Sequence, residues 1–373
     1  MKVLISHPDF KDPGGVANYY RKLRNKFRVP VENFVIGRRP TERGTNSKVW
    51  RMWRDYGRFA RCLKSEQYDL VHVNPSLDFK SFLRDGIFLL IARKYRISTL
   101  VFFRGWQKSF EQTLARNGLW LLKLLYGKAN AIIVLSEDFK KVLRTWGFTQ
   151  PIYREVTIVD DDDLAGFDVH QTLLERERAQ KWRVLFLARL VKQKGIYETI
   201  EAVSLLQQRY PTLELVVAGD GAELAGAKSL VRERSIPNVT FTGYVAGREK
   251  HRLFERVHIF CFPSYYGEGM PNAVAEAMAF GLPVVTRPVG GIADFFQNGV
   301  HGFATHSKEP KILADLLERL RADKKLYRDI SLHNYHYAQS HFLASRAAER
   351  LEQIYNSIQK VELDAEKNSN TRP

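Results

Sequence analysis

The chain has 373 residues, 45% of them hydrophobic and 27% charged, and a formal net charge of +17. That length and balance suit two globular domains, at most three, and exclude disordered and fibrous classes. Two cysteines, Cys62 and Cys261, exclude a disulfide scaffold and a four-cysteine zinc site and fit a reducing compartment.

The start, Met1–Pro8, has too short an apolar core for a secretory leader and reads as a buried strand over Lys2–Ser6. Further strands are predicted at Asn33–Gly37, Asp69–Val73, Ser98–Phe103, Ala129–Leu135 and Glu155–Val159, with amphipathic stretches such as Trp50–Glu66 and Gln112–Tyr126 between them. In the second half the strands are Arg183–Ala188, Leu213–Gly219, Val239–Thr242, His258–Phe262 and Val284–Thr286. Apolar runs such as Ile87–Ala92 fall far short of the roughly 18 residues that cross a membrane. Strands alternating with helices predict parallel sheets of βαβ units. Two such series predict two doubly wound α/β domains, with ligands outside the C-terminal ends of the strands. The run Asp160–Asp163 marks the boundary between a domain over 1–165 and one over 166–340, and the polar stretch 361–373 reads as a disordered tail. As a block of like charge, Asp160–Asp163 is expected to stay solvated and bind no metal.

Charge is uneven along the chain. Residues 1–159 carry 30 Lys and Arg against 13 Asp and Glu, whereas residues 160–373 carry 28 of each. Such asymmetry points to an anionic partner for the first half: nucleic acid, an acidic membrane surface or a phosphorylated acceptor. No nucleic-acid-binding motif accompanies the charge, so nucleic acid is not the expected partner. Between Val49 and Lys64, the residues Arg51, Arg54, Arg58 and Arg61 recur at three- and four-residue steps, and Trp50 and Trp53 add apolar bulk. A basic amphipathic helix of this kind can lie on an anionic membrane; it can equally be a crossover helix with its apolar side on the sheet.

The most informative stretch runs from Glu268 to Thr286. Pro271 suits the start of a helix of about ten residues and Gly281 its end. The free N–H groups of its first turn, around Gly269, Met270, Pro271 and Asn272, would attract a phosphate. Glu276 falls mid-helix among alanines. A carboxylate buried there needs either a structural ion pair or ligand hydroxyls to bind.

Glu268 and Glu276, with Gly-Met-Pro-Asn, Glu-Ala-Met-Ala and Gly-Leu-Pro-Val-Val in order, resemble the E-x7-E signature of glycosyltransferase family 4. A second segment, Phe186–Gly195, is similar to that family's G-R-L-x-x-x-K-G element, with Ala188 replacing the first glycine. The resemblance implies the GT-B fold, two Rossmann-like domains facing across a cleft: 1–165 for the acceptor, 166–340 for the nucleotide sugar, and a helix over 341–360 returning to the first. It implies a retaining, metal-independent transferase that needs no cofactor, takes a UDP- or GDP-sugar and releases the nucleoside diphosphate. Arg189 and Lys194 would clamp the pyrophosphate, Glu268 face the donor sugar and Glu276 hold the ribose. Gly219, Asp220 and Gly221 resemble the loop beside the nucleotide, and Tyr244 and Val245 the border of the nucleobase. Gly14 and Gly15 resemble the N-domain glycine turn, where φ > 0 and close backbone approach are expected; an ordinary βα turn is the alternative. Arg104 stands where the family often has a histidine; it cannot act as a base, but it can hold a sugar hydroxyl or a phosphate. A glycan or lipid-linked acceptor in surface polysaccharide synthesis, at the cytoplasmic face of the membrane, follows from the family and the basic first half. A nucleotide-sugar 2-epimerase of the same fold and a nucleic-acid binder are the alternatives.

Overall fold

A computed structural model describes residues 1–37, 48–266 and 269–370. It divides into a first unit of Met1–Val156 with Ala344–Pro373 and a second of Thr157–Leu343.

The first unit holds strands β1 (Val3–Pro8), β2 (Val31–Ile36), β3 (Leu70–Val73), β4 (Ser76–Leu77), β5 (Ser98–Phe102), β6 (Gly105–Trp106), β7 (Ala131–Val134) and β8 (Ile152–Arg154). Its helices are α1 (Gly15–Lys22), α2 (Lys48–Ser65), α3 (Phe79–Lys94), α4 (Lys108–Thr113), α5 (Leu119–Tyr126) and α6 (Glu137–Thr145). Six strands form one sheet in the order β2-β1-β3-β5-β7-β8, every pairing parallel, and β4 and β6 pair apart from it. Strands β3, β5 and β7 are buried at every position, as a parallel sheet covered by helices requires, and all are apolar except for His72, Ser98 and Thr99.

The second unit holds β9 (Arg183–Leu187), β10 (Glu214–Ala218), β11 (Val239–Gly243), β12 (Ile259–Phe262), β13 (Val284–Thr286) and β14 (Gly302–Ala304). Its helices are α7 (Val169–Arg178), α8 (Ile196–Gln207), α9 (Leu224–Glu233), α10 (Gly247–Arg256), α11 (Asn272–Ala279), α12 (Pro310–Ala322) and α13 (Lys324–His341), and α14 (Ala344–Asn370) belongs to the first unit. The sheet order is β11-β10-β9-β12-β13-β14, again all parallel. The order reverses between β9 and β12, and ligands of doubly wound sheets bind outside the strand ends at such a switch point.

Three expectations are corrected. The strand expected at Glu155–Val159 is Ile152–Arg154. Glu155 instead forms a bidentate pair with Arg350 of α14, at 2.7 and 2.8 Å, and Val159 bridges to Leu343 in the second unit. The second unit begins at Thr157 rather than 166. The acidic run therefore lies inside it, as a 3-10 turn over Asp161–Leu164 capped by Asp160, with Asp163 3.2 Å from His251. The expected disordered tail is helical as far as Asn370. Once the buried part of α14 is formed, each added residue costs no new nucleus, and Glu362 accepts hydrogen bonds from Ser98 and Asn130.

Candidate functional site

In the second unit the loop leaving β9 carries Arg189, then a 3-10 turn over Lys192–Lys194, then α8. Two glycines of the neighbouring β10 loop pin it. Gly219 has φ +138°, and a Cβ there would lie 1.9 Å from the carbonyl oxygen of Ala188; Gly221 has φ +154°, and its Cβ would lie 2.4 Å from that of Leu190. The Ala188 N–H donates to Ala218 and the Leu190 N–H to Asp220. Gly219 and Gly221, expected at the donor, let two backbones touch and so fix where Arg189 starts.

Lys194 is half-buried between rings, its Nζ 5.4 Å from the centroid of Phe262 and 5.1 Å from that of Tyr266. Burial, and then the charge of nearby Arg189, lower its pKa to about 8. The two expected cations, Arg189 and Lys194, thus share the loop that leaves β9 at the switch point. At Arg189 opens a cavity of about 360 Å³ lined by Leu187, Ala188, Arg189, Ala218, Gly219, Asp220, Tyr244 and Val245. Tyr244 is 79% exposed at its rim, and Val245 is buried in its wall.

The loop from β12 to α11 passes through Pro263, against which a Cβ at Gly195 would collide 2.6 Å from the carbonyl oxygen. Gly267 and Glu268 lie outside the described residues. The Gly269 carbonyl accepts from the Gly291 N–H, and Met270 and Pro271 are buried. Asn272, the first residue of α11, accepts a hydrogen bond from the Thr157 hydroxyl. The helix spans eight residues, shorter than expected, with Pro271 as its extended N-cap; Gly281 (φ +64°) follows its end. Glu276 is 5% exposed and pairs with Lys250 of α10, Nζ to Oε1 2.9 Å. Sequence reasoning missed Lys250. Lys250 lies one turn before the buried Phe254 on the same face of α10, but nothing local sets it apart from the solvated charges of that helix. Among the described residues no three His, Cys, Asp or Glu side chains converge as metal ligands.

In the first unit, Gly14 and Gly15 open α1. Gly14 has φ −67° and Gly15 does not have positive φ, so the expected left-handed backbone is absent. What crowds Gly14 is its own turn: its N–H donates to Asp12 Oδ1 at 2.7 Å. Helix α1 carries Tyr19 onto Arg104, whose guanidinium lies 3.7 Å from the Tyr19 ring centroid and 4.4 Å from that of Phe102. Burial lowers the Arg104 pKa, and its Nε and Nη1 have no hydrogen-bond partner among the described residues. Next to it lies a satisfied network: Tyr20 donates to Asn74 (2.7 Å), Asn74 to the Ser6 carbonyl (2.9 Å), and His72 Nδ1 is 2.8 Å from the Tyr355 hydroxyl. Burial holds His72 neutral, its pKa lowered to about 3.

Helix α2 sets Tyr56, Phe59 and Leu63 in the core and leaves Trp50 53% and Trp53 70% exposed. Arg54 and Arg58 flank the buried Asp55 at 3.5 and 3.4 Å; Arg51 and Arg61 carry the basic stripe further. No described helix is long and apolar enough to cross a membrane.

Two family models match the chain: a glycosyl transferase 4-like domain over residues 15–156 and glycosyl transferases group 1 over residues 174–336. The chain is 26% identical over 252 residues to the capsular polysaccharide biosynthesis glycosyltransferase CapM of Staphylococcus aureus, a match covering 62% of this chain and 63% of CapM, under two thirds of that relative. Among solved structures it resembles a glycosyltransferase from Rickettsia africae (TM-score 0.74, 17% identity, 96% of this chain and 98% of that one). It likewise resembles HepE from Anabaena in complex with UDP and glucose (TM-score 0.68, 18% identity, 96% of this chain and all of that one). At these identities the likeness to the solved structures is one of fold.

Proposed function

This chain belongs to the glycosyltransferases of family 4, built on the GT-B fold, and on that basis we propose that it moves a sugar from a UDP- or GDP-sugar to a hydroxyl of a glycan or lipid-linked acceptor, with retention of anomeric configuration. One observation carries the reading: Arg189, on a pinned loop that it shares with Lys194 at the switch point, lines a cavity rimmed by Tyr244. A leaving nucleoside diphosphate gathers negative charge, and cations fixed before the reaction stabilise it without reorganising. The N-terminus of α11 adds its dipole. Glu276 accepts from the ribose, Glu268 faces the donor sugar, and Arg104 holds a sugar hydroxyl or a phosphate. The acceptor hydroxyl attacks from the face the diphosphate leaves, and the departing phosphate oxygen takes its proton. Neither a metal nor a covalent carboxylate intermediate enters this scheme. The names of CapM and of the HepE complex support a polysaccharide acceptor and a UDP donor. The basic first half and the tryptophans of α2 support work at the cytoplasmic face of an anionic membrane.

Proton NMR of UDP- and GDP-sugar reactions tests this. Donor should be consumed only with acceptor present, the product should keep the donor's anomeric configuration, and a strong chelator should change nothing. Arg189→Ala should lower kcat/KM about 10²- to 10³-fold. An inverted product refutes the retaining mechanism, and epimerised donor without acceptor establishes the 2-epimerase instead.

A further inference from the structure

The Lys250–Glu276 pair is the feature of the second unit that the scheme above leaves unused. Glu276 sits among alanines on α11 with almost no exposure, and the ammonium of Lys250, itself only 19% exposed, lies 2.9 Å from Oε1. As a device for stability such a pair is poor, because desolvating both charges offsets most of their attraction and well-packed apolar side chains serve as well. What an ion pair does supply is direction: it holds one carboxylate oxygen and thereby the rotamer that aims the group. The chain's layout gives that direction a use. Tyr244 and Val245 line the cavity beside Arg189, and α10 begins two residues later. One short segment, 244–250, therefore supplies both a wall of the cavity and the counter-ion of the buried carboxylate.

We propose that Lys250 is a positioning residue for nucleotide recognition: its ion pair sets the Glu276 carboxylate in the orientation that accepts hydrogen bonds from the ribose hydroxyls. The inference rests on the ribose reading of Glu276. Lys250 acts through Glu276 and not on the ligand, so its contribution exists only when the hydroxyls do.

Calorimetric titration of the full chain with UDP and GDP, each against its 2′,3′-dideoxy counterpart, separates the possibilities. The affinity ratio is taken within each variant, so loss of folded protein cancels. The wild type should prefer the ribonucleotide about ten-fold or more, as expected for hydrogen bonds to a charged group. Glu276→Gln should weaken that preference. In Lys250→Met the ratio should fall to within about three-fold of unity, with Lys250→Gln as the second variant should the first not fold. A Lys250 variant that keeps the wild-type ratio, or loses affinity equally for both ligands, overturns the inference alone. A wild type indifferent to the hydroxyls overturns the ribose reading and this inference with it.

Discussion

Among single residues, Lys194 is the group whose behaviour the surroundings change most usefully. Its pKa of about 8 comes first from burial and then from Arg189, so the ammonium is less favoured in the folded protein than in the unfolded chain. Two opposite pH dependences follow. As pH rises from about 8 toward the unfolded value near 10.5, the native state has already shed this proton and the unfolded state has not, so the group's contribution to stability grows. Over the same window the diphosphate loses a cation, so UDP affinity should fall. Titrations between about pH 7 and 10 should show that fall in the wild type and its absence in Lys194→Arg, whose guanidinium stays charged. An identical decline in both proteins would place its origin elsewhere. Arg189 and Lys194 were legible in the sequence because the family's element spells them. Lys250 was not, because a lysine facing inward differs from a solvated one only by what another helix puts opposite it.

Among the helices and strands, α14 is held to the first unit by specific polar contacts. Arg350 makes the bidentate pair with Glu155, Glu352 accepts from the backbone N–H of Arg28 and Val29, and Tyr355 meets His72. Glu155 is 2% exposed, so Arg350→Ala would strand a buried carboxylate. The expected cost is about 3 kcal/mol, a drop of several degrees in the melting of the first unit, and Glu155→Gln combined with Arg350→Met should recover part of it. A melting curve unmoved by Arg350→Ala would show the pair to be idle. The family resemblance could place this helix but not its partners, because pairing across 195 residues leaves no local trace. The misplaced strand at Glu155–Val159 has the same origin: its apolar pattern was real, but Glu155 turns to Arg350 and Val159 to Leu343. The glycine turn at Gly14 and Gly15 shows the reverse case, a sequence cue for left-handed backbone that the fold does not use.

Across the chain as a whole, charge divides as the sheets do: the first 159 residues hold the entire net excess. Basic residues near an anionic surface each contribute about 1 kcal/mol, and exposed Trp50 and Trp53 on α2 would enter the interface. The full chain should therefore sediment with phosphatidylserine vesicles and not with neutral ones, release at about 0.5 M salt, and bind less well as Trp50→Ala/Trp53→Ala. Equal binding to both vesicle types, or to neither, would discard the membrane role. Hydrophobic period and short motifs are local properties of a chain, and they were enough to specify the two parallel α/β sheets and the family and to single out the cations and carboxylates proposed for the donor. Folding in three dimensions added what no local pattern contains: Gly219 and Gly221 press two loops together, Tyr19 lies on Arg104, and Lys250 answers Glu276. Each of those depends on which surfaces meet once the strands are ordered, and that order is set by burial over the whole sheet rather than by any neighbour in sequence.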